Sequence, residues 1–169
     1  MLENKPARGV WFVLATIFID AIGFGLVIPV LPRLLMSVGR IDLAHAIEIG
    51  AWMGLAIALA TFFAAPVLGN LSDRIGRRPV LLIALAGMAL DYLLLAVANT
   101  LPLIFIGRVL SGALGGSYAP AQAAIADQTP PEARAKTFGY VSAAFGVGFI
   151  AGPAIGGLLG ELGLRAPFY

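Results

Sequence analysis

Cysteine is absent from these 169 residues, and histidine occurs once, as His45. Without cysteine there are no disulfides, zinc thiolates or thiol nucleophiles. One histidine cannot build a multi-histidine metal centre. Charged side chains are also scarce, at 12% of the chain, where a soluble domain carries about 25%. So few charges cannot cover a water-facing surface. Neither a Walker A loop nor an H-E-x-x-H pair occurs in the sequence, so nothing in it points to an ATPase or a protease. No catalytic residue, no metal site and no enzyme activity are expected.

What is present is apolar. Hydrophobic residues make up 60% of the chain, and the mean hydropathy is +0.94. This is the composition of an integral membrane protein. The sequence pI of about 9.3 rests on a net charge of only +2, which gives no case for a nucleic-acid partner. Lys5 and Arg8 precede an apolar run, as in a signal peptide. Asp20 interrupts that run and no small-residue cleavage site follows, so it reads as a retained first helix.

The chain is expected to be an all-α membrane protein with five transmembrane helices. Each span is near the about 20 residues that a bilayer core requires. The spans run near Val10–Leu31, Ile47–Leu68, Val80–Ala98, Pro102–Ala126 and Phe138–Leu159. Short connections make neighbours antiparallel. Lys5, Arg8, Arg74, Arg77, Arg78, Arg134 and Lys136 fall on one side, and Arg33, Arg40 and Arg165 on the other. The excess of bases marks the cytoplasmic side, which places the N-terminus there and the C-terminus outside. The polar stretch Gly69–Pro79, with Asp73, Arg74, Gly76, Arg77 and Arg78, reads as a short basic loop between the second and third spans.

Four charged residues lie inside or at the ends of spans: Asp20, Asp91, Arg108 and Asp127. A charge at the bilayer centre costs roughly 2.5–3.5 kcal/mol on insertion scales, so such residues face a bundle interior or a wet cavity. At about 1.5 Å per residue, Asp20 and Asp91 fall near the midplane and Arg108 roughly 9 Å from the outer side. Arg108 can reach either carboxylate or extend outward. The pattern suits a substrate cavity with titratable carboxylates; ion pairing that only orients helices is the structural alternative. Asp127, at the cytoplasmic end of its span, suits a partner for the loop arginines. Arg108, Gly112, Gly115, Ala119 and Gln122 recur at helical spacing and form one small, polar stripe on the fourth span. Gly112 and Gly116 also form a G-x-x-x-G pair. In the fifth span Gly148, Gly152, Gly156 and Gly160 line one face, which allows a close backbone approach. Gly152-Pro153 and Gly156-Gly157 weaken the helix locally, so the face reads as packing seam, hinge or both.

Several segments resemble the major facilitator superfamily of transporters. Gly69-Asn70-Leu71-Ser72-Asp73-Arg74-Ile75-Gly76-Arg77-Arg78 is similar to the family's loop between helices 2 and 3. Phe18 through Pro32 resembles the first-helix signature of drug/proton antiporters. Gly107-Arg108-Val109-Leu110-Ser111-Gly112 resembles the helix 4 motif, and Gly148 through Gly157 the helix 5 antiporter motif. Gly76 through Leu82, Leu90-Asp91-Tyr92 and Arg165 through Tyr169 are similar to the tetracycline-efflux subfamily, although Thr61 stands where that subfamily usually carries glutamine.

The resemblance implies that residues 1–169 are part of the N-terminal six-helix bundle of such a transporter, with helix 6 and the C-terminal half absent. The implied function is proton-coupled drug efflux from a bacterial cytoplasmic membrane, with tetracycline-like substrates. Alternatives are an importer or symporter of the same fold and a non-transporting truncated product. Asp20, Asp91, Arg108 and Gln122 are the implied cavity residues. Gly69, Asp73, Arg74, Gly76, Arg77, Arg78 and Asp127 are the implied cytoplasmic gating cluster. Gly148, Gly152, Pro153, Gly156 and Gly157 are the implied antiporter motif. No cofactor is implied, only a proton gradient, with a metal–drug complex as a possible substrate. The implied partners are the lipid bilayer, a small-molecule drug, protons and the missing half.

Overall fold

The computed structural model of the protein describes residues 8–115 and 118–169. Lys5, Gly116 and Ser117 lie outside the described residues, as does the side chain of Arg8, so the Gly112–Gly116 pair is only half described.

Among the described residues six α-helices follow one another: α1 (Arg8–Gly39), α2 (Leu43–Ile75), α3 (Arg77–Val97), α4 (Leu101–Leu114), α5 (Tyr118–Gln128) and α6 (Pro131–Leu162), with a final 3-10 turn at Ala166–Phe168. They make five crossings long and apolar enough to span a membrane, α4 and α5 sharing the fourth. The helices outrun the apolar runs that announce them. α1 continues through Pro29 and Pro32, because neighbouring helices make up for a lost backbone bond in a membrane bundle. Its extension buries Leu34 and Leu35 completely. Arg40, at φ 51°, turns the chain in the left-handed region, and Asp42 then caps α2 by accepting from the backbone N–H of His45 at 3.0 Å. That bond holds the Asp42 carboxyl below its ordinary pKa.

Two sequence expectations change. The polar stretch from Gly69 to Pro79 is not a loop. α2 runs to Ile75 and α3 starts at Arg77. A single residue, Gly76 at φ 95°, makes the break, and only glycine adopts that conformation without steric cost. The polar stripe along the fourth span is also interrupted. α4 ends at Leu114 with Gly115 as its cap, and α5 begins at Tyr118. Pro120 lacks the amide hydrogen needed to continue the preceding turn. Ala119 and Gln122 therefore sit on a different helical segment from Arg108 and Gly112.

The helices of a membrane bundle gain little by hiding apolar surface from one another, since lipid is equally apolar, and close packing has to hold them. The α1–α6 seam does this. Cβ atoms on Gly148 and Gly152 would lie 2.7 Å from the Phe18 carbonyl oxygen and 2.5 Å from that of Ile22, and one on Gly156 would strike the Leu26 carbonyl. α6 stays helical through Pro153, which meets Gly25 of α1. At Gly157, by contrast, a Cβ would find nothing within 4 Å, and the same holds at Gly69. On the outward faces Phe62, Phe63, Ile150 and Leu158 are exposed, as suits a lipid solvent.

Buried apolar side chains form two separate clusters. One gathers Val10, Val13, Ile17, Leu81, Ile125 and Val141 at the end that carries most of the bases. The other gathers Val30, Leu34, Leu35, Met53, Ile104 and Phe168 at the opposite end. There Arg165 donates to the carbonyls of Ala96 and Ala98 and to Asn99 Oδ1, closing the end of α3. Phe168 meets Tyr92 edge to face, with ring centroids 5.8 Å apart.

Gly152→Ala should lower stability by about 1–3 kcal/mol, the usual range for overpacking a tight contact. Gly157→Ala should stay within about 0.5 kcal/mol, as surface changes do. Unfolding transitions in mixed micelles measure both. Equal effects would show that the seam is not where α1 and α6 are held.

Candidate functional site

Between the two apolar clusters, at the level of Asp20, lies a cavity of about 290 Å3. α1 contributes Asp20, Gly23 and Phe24; α2 contributes Ile57 and Thr61; α3 contributes Met88 and Tyr92. α4 contributes Arg108, Ser111, Gly112 and Gly115, and α6 contributes Phe145. Every crossing therefore supplies a wall. The apolar clusters lie on either side of the cavity, and Asp20, Asp91 and Arg108 are gathered between them.

Arg108 forms the floor. Its Nη2 donates to Asp91 Oδ2 at 2.6 Å and to Ser111 Oγ at 3.3 Å. Asp91 is fully buried and Arg108 is 9% exposed. Gly107 makes the pair possible: a Cβ there would lie 3.0 Å from Asp91 Oδ1 and 3.3 Å from Leu94 Cβ. The sequence reading puts Asp20 and Asp91 together as cavity carboxylates. The structure separates them, with Asp20 in the wall and Asp91 behind Arg108, where it holds the guanidinium rather than facing the space. Gln122 is half-buried on α5 and does not line the cavity.

Three contacts that the sequence reading does not anticipate shape the walls. Thr61 Oγ1 donates to the Gly112 carbonyl at 2.9 Å, and a Cβ on Gly112 would lie 2.6 Å from the Ile57 carbonyl. Those two residues let α4 cross closely over α2. The Tyr92 hydroxyl donates to the Gly23 carbonyl, and Gly23 leaves room for both Tyr92 and Met88. Phe24, Phe145 and Phe149 form a stacked row along α1 and α6. Only the spacing of Ser111, three residues after Arg108, is a signal readable in the sequence.

The basic end holds the second charged group. Arg77 meets Asp73 Oδ1 at 2.5 Å and Asp127 Oδ2 at 3.1 Å, and its Nη1 donates to Ser72 Oγ at 2.6 Å. One guanidinium thus ties the end of α2, the start of α3 and the end of α5. Arg74 is exposed, and both carboxylates go to Arg77. The Arg78 guanidinium lies over the Phe12 ring, 5.4 Å from its centroid. Arg134 donates to the Thr129 and Ala126 carbonyls at the end of α5. Among the described residues, no cluster of three or more acidic, histidine or cysteine side chains could hold a metal ion.

The chain matches the family "Major Facilitator Superfamily" over residues 13–169. It is 48% identical over 167 residues to a class C tetracycline resistance protein of Escherichia coli, across 97% of this chain and 41% of that protein. It is 46% identical over 162 residues to a class E tetracycline resistance protein of Escherichia coli, across 95% of this chain and 39% of that one. A solved structure, the human organic anion transporter MFSD10 (TETRAN), superposes with a TM-score of 0.77 at 30% identity, covering 95% of this chain and 43% of its own. The chain spans less than half the length of the curated relatives that it matches.

Asp91→Asn leaves the Arg108 charge buried without its carboxylate. Breaking a buried pair in this way should cost about 3–5 kcal/mol. The double variant Asp91→Asn/Arg108→Gln should lose clearly less than the sum of the two single losses, because each single change strands a partner. Unfolding midpoints of the three variants check this. Strict additivity would show that the two residues act independently.

Proposed function

This chain belongs to the major facilitator superfamily, and on that premise we propose that it builds part of a proton-coupled drug efflux transporter whose substrates are tetracycline-like. One observation carries the reading. Asp20 and Arg108 line a single cavity together with Phe24, Tyr92 and Phe145. A carboxylate, a guanidinium and several aromatic faces match a flat, multi-ring drug bearing ionisable groups, or its complex with a divalent metal as the cargo. The relatives named as tetracycline resistance proteins support the same substrate class.

In this reading Asp20 is the exchanging acid. Arg108 is held by Asp91 and so keeps its charge in place while Asp20 gains and loses a proton. A proton shifts the transporter between open states only as far as it binds one state more tightly than the other. The two halves of such a transporter rock about a midplane site, and the second half supplies the opposite wall. The Arg77 cluster latches one of the two states at the basic end. The proton gradient supplies the energy, with no bound cofactor and no covalent step, so the protein is not an enzyme. The location is the bacterial cytoplasmic membrane, with the N-terminus and the Arg77 cluster in the cytoplasm, following the excess of bases at that end.

Two tests apply. The chain has no cysteine, so single cysteines report cleanly. In intact cells, Thr100→Cys should react with an impermeant thiol reagent and Asn70→Cys should not; the reverse pattern would invert the orientation. In everted vesicles from cells expressing the intact gene, adding a tetracycline–magnesium complex should release protons from the vesicle interior. Asp20→Asn should abolish this exchange at an unchanged protein level. Exchange at the parental rate in that variant would remove Asp20 from the mechanism.

A further inference from the structure

A second cavity, of about 360 Å3, opens at the basic end and shares no residue with the Arg108 site. Phe12 and Val13 of α1, Arg77, Arg78 and Leu81 of α3, and Gln128 of α5 line most of it. Its character is divided. Phe12, Val13 and Leu81 make an apolar wall, and two guanidiniums stand at one side. No described lining residue is acidic. Arg77 is committed to Asp73, Asp127 and Ser72. Arg78 is exposed, lies over the Phe12 ring and is held by no carboxylate among the described residues, so its positive charge is the available one. The α3 helix starts at these residues, and its cap, Gly76, offers no side-chain hydrogen bond. The positive end of a helix dipole therefore adds to the two arginines.

We propose that this cavity binds an acidic phospholipid from the leaflet at the basic end, with its phosphate on Arg78 and the first part of an acyl chain along Phe12, Val13 and Leu81. The bilayer is the one solvent around these helices that presents an anion and a hydrocarbon chain on the same molecule. Arg78, the lining guanidinium that neither Asp73 nor Asp127 engages, favours a headgroup with net negative charge over a zwitterionic one, which brings no net charge to it. Basic pockets between membrane helices select acidic headgroups by this chemistry. The lipid bridges the start of α1 to the start of α3 across the mouth of the cavity. It acts beside the guanidinium that ties α2, α3 and α5, and it takes no part in the Asp20–Arg108 cavity. The proposal therefore stands apart from the transport reading.

Tryptophan fluorescence tests it on the whole chain. The protein has two tryptophans, and Trp52→Phe leaves Trp11, the residue before Phe12, as the reporter. The chain is reconstituted in mixed vesicles containing either brominated phosphatidylglycerol or brominated phosphatidylcholine, and quenching of Trp11 gives the relative association of the two lipids. Phosphatidylglycerol should associate about fivefold more strongly, the effect of one basic residue near an acidic surface. Arg78→Gln should bring the ratio close to one; Arg78 is exposed, so this change does not open the core. Lys136→Gln, which removes an exposed base at the same end outside the cavity, should leave the ratio as it was. Equal association of the two lipids in the parent would overturn the proposal. So would a loss with Lys136→Gln as large as with Arg78→Gln, which would mean diffuse surface charge. Suppression of the preference by excess inorganic phosphate would assign the cavity to a soluble anion instead.

Discussion

The backbones of α1 and α6 touch through glycine, and the position of every functional group on α1 follows from that contact. Gly148, Gly152 and Gly156 fall against the carbonyls of Phe18, Ile22 and Leu26, one per helical turn, over the stretch that carries Asp20, Gly23 and Phe24. Gly25 completes the seam from the other side. Pro153 cannot donate to the carbonyl of Phe149, four residues back, and α1 comes close there: a Cβ on Gly25 would lie 3.0 Å from that oxygen and 2.8 Å from Pro153 Cδ. The proline removes a backbone bond, and the facing glycine lets α1 cover the carbonyl left behind. In lipid, where an exposed polar backbone group has no water to turn to, the two substitutions make sense only together.

The Arg108–Asp91 pair has a different logic. Among the described residues Asp91 Oδ1 and Arg108 Nε make no hydrogen bond. A buried ion pair with unmet bonding capacity is a poor source of stability, because desolvating two charges costs more than imperfect pairing returns. An apolar pair would hold α3 to α4 better. What the pair does provide is a guanidinium fixed in direction at the cavity floor. Gly107 admits the carboxylate, Asp91 meets one end of the arginine, and Ser111 meets the same nitrogen from the next turn. Stability is given up at one point of α4 for a charge that is fixed in place at the cavity floor.

The number of crossings, the sorting of bases to one end and the glycine face of α6 were legible in the sequence, because each follows from a periodicity or a composition; the split of the fourth crossing into two helices was not. What could not be read was direction and partner. Asp20 and Asp91 look equivalent along the chain, both acids near the middle of apolar runs. Only the packing of α3 against α4 shows that Asp91 turns inward to Arg108 while Asp20 lines the cavity. The stretch from Gly69 to Pro79 looks like a loop because it is polar, yet helix continues on both sides of Gly76. Polarity marks the end of the lipid core and not the end of the hydrogen-bond ladder. Gln122 was grouped with Arg108 by counting residues as if one helix ran through Gly115. The partners of Arg165 could not be read, since they are two backbone carbonyls and the Asn99 side chain nearly seventy residues away.

The break at Gly115 divides the fourth crossing by role. α4 carries Arg108 and is fastened above the break, to α3 by Asp91 and to α2 by the bond from Thr61 to the Gly112 carbonyl. α5 carries Asp127 and is fastened below it, to the start of α3 and the end of α2 by Arg77. A continuous helix would transmit any displacement of Arg108 along its axis to Asp127. With the helix broken at Gly115, the two pieces are also linked through shared attachments to neighbouring helices, α2 and α3 among them. Those helices are themselves joined by a single residue, Gly76, and clamped there by Arg77. The α2–α3 hairpin, which the fastenings of both pieces grip, is therefore one physical link between the cavity and the basic end.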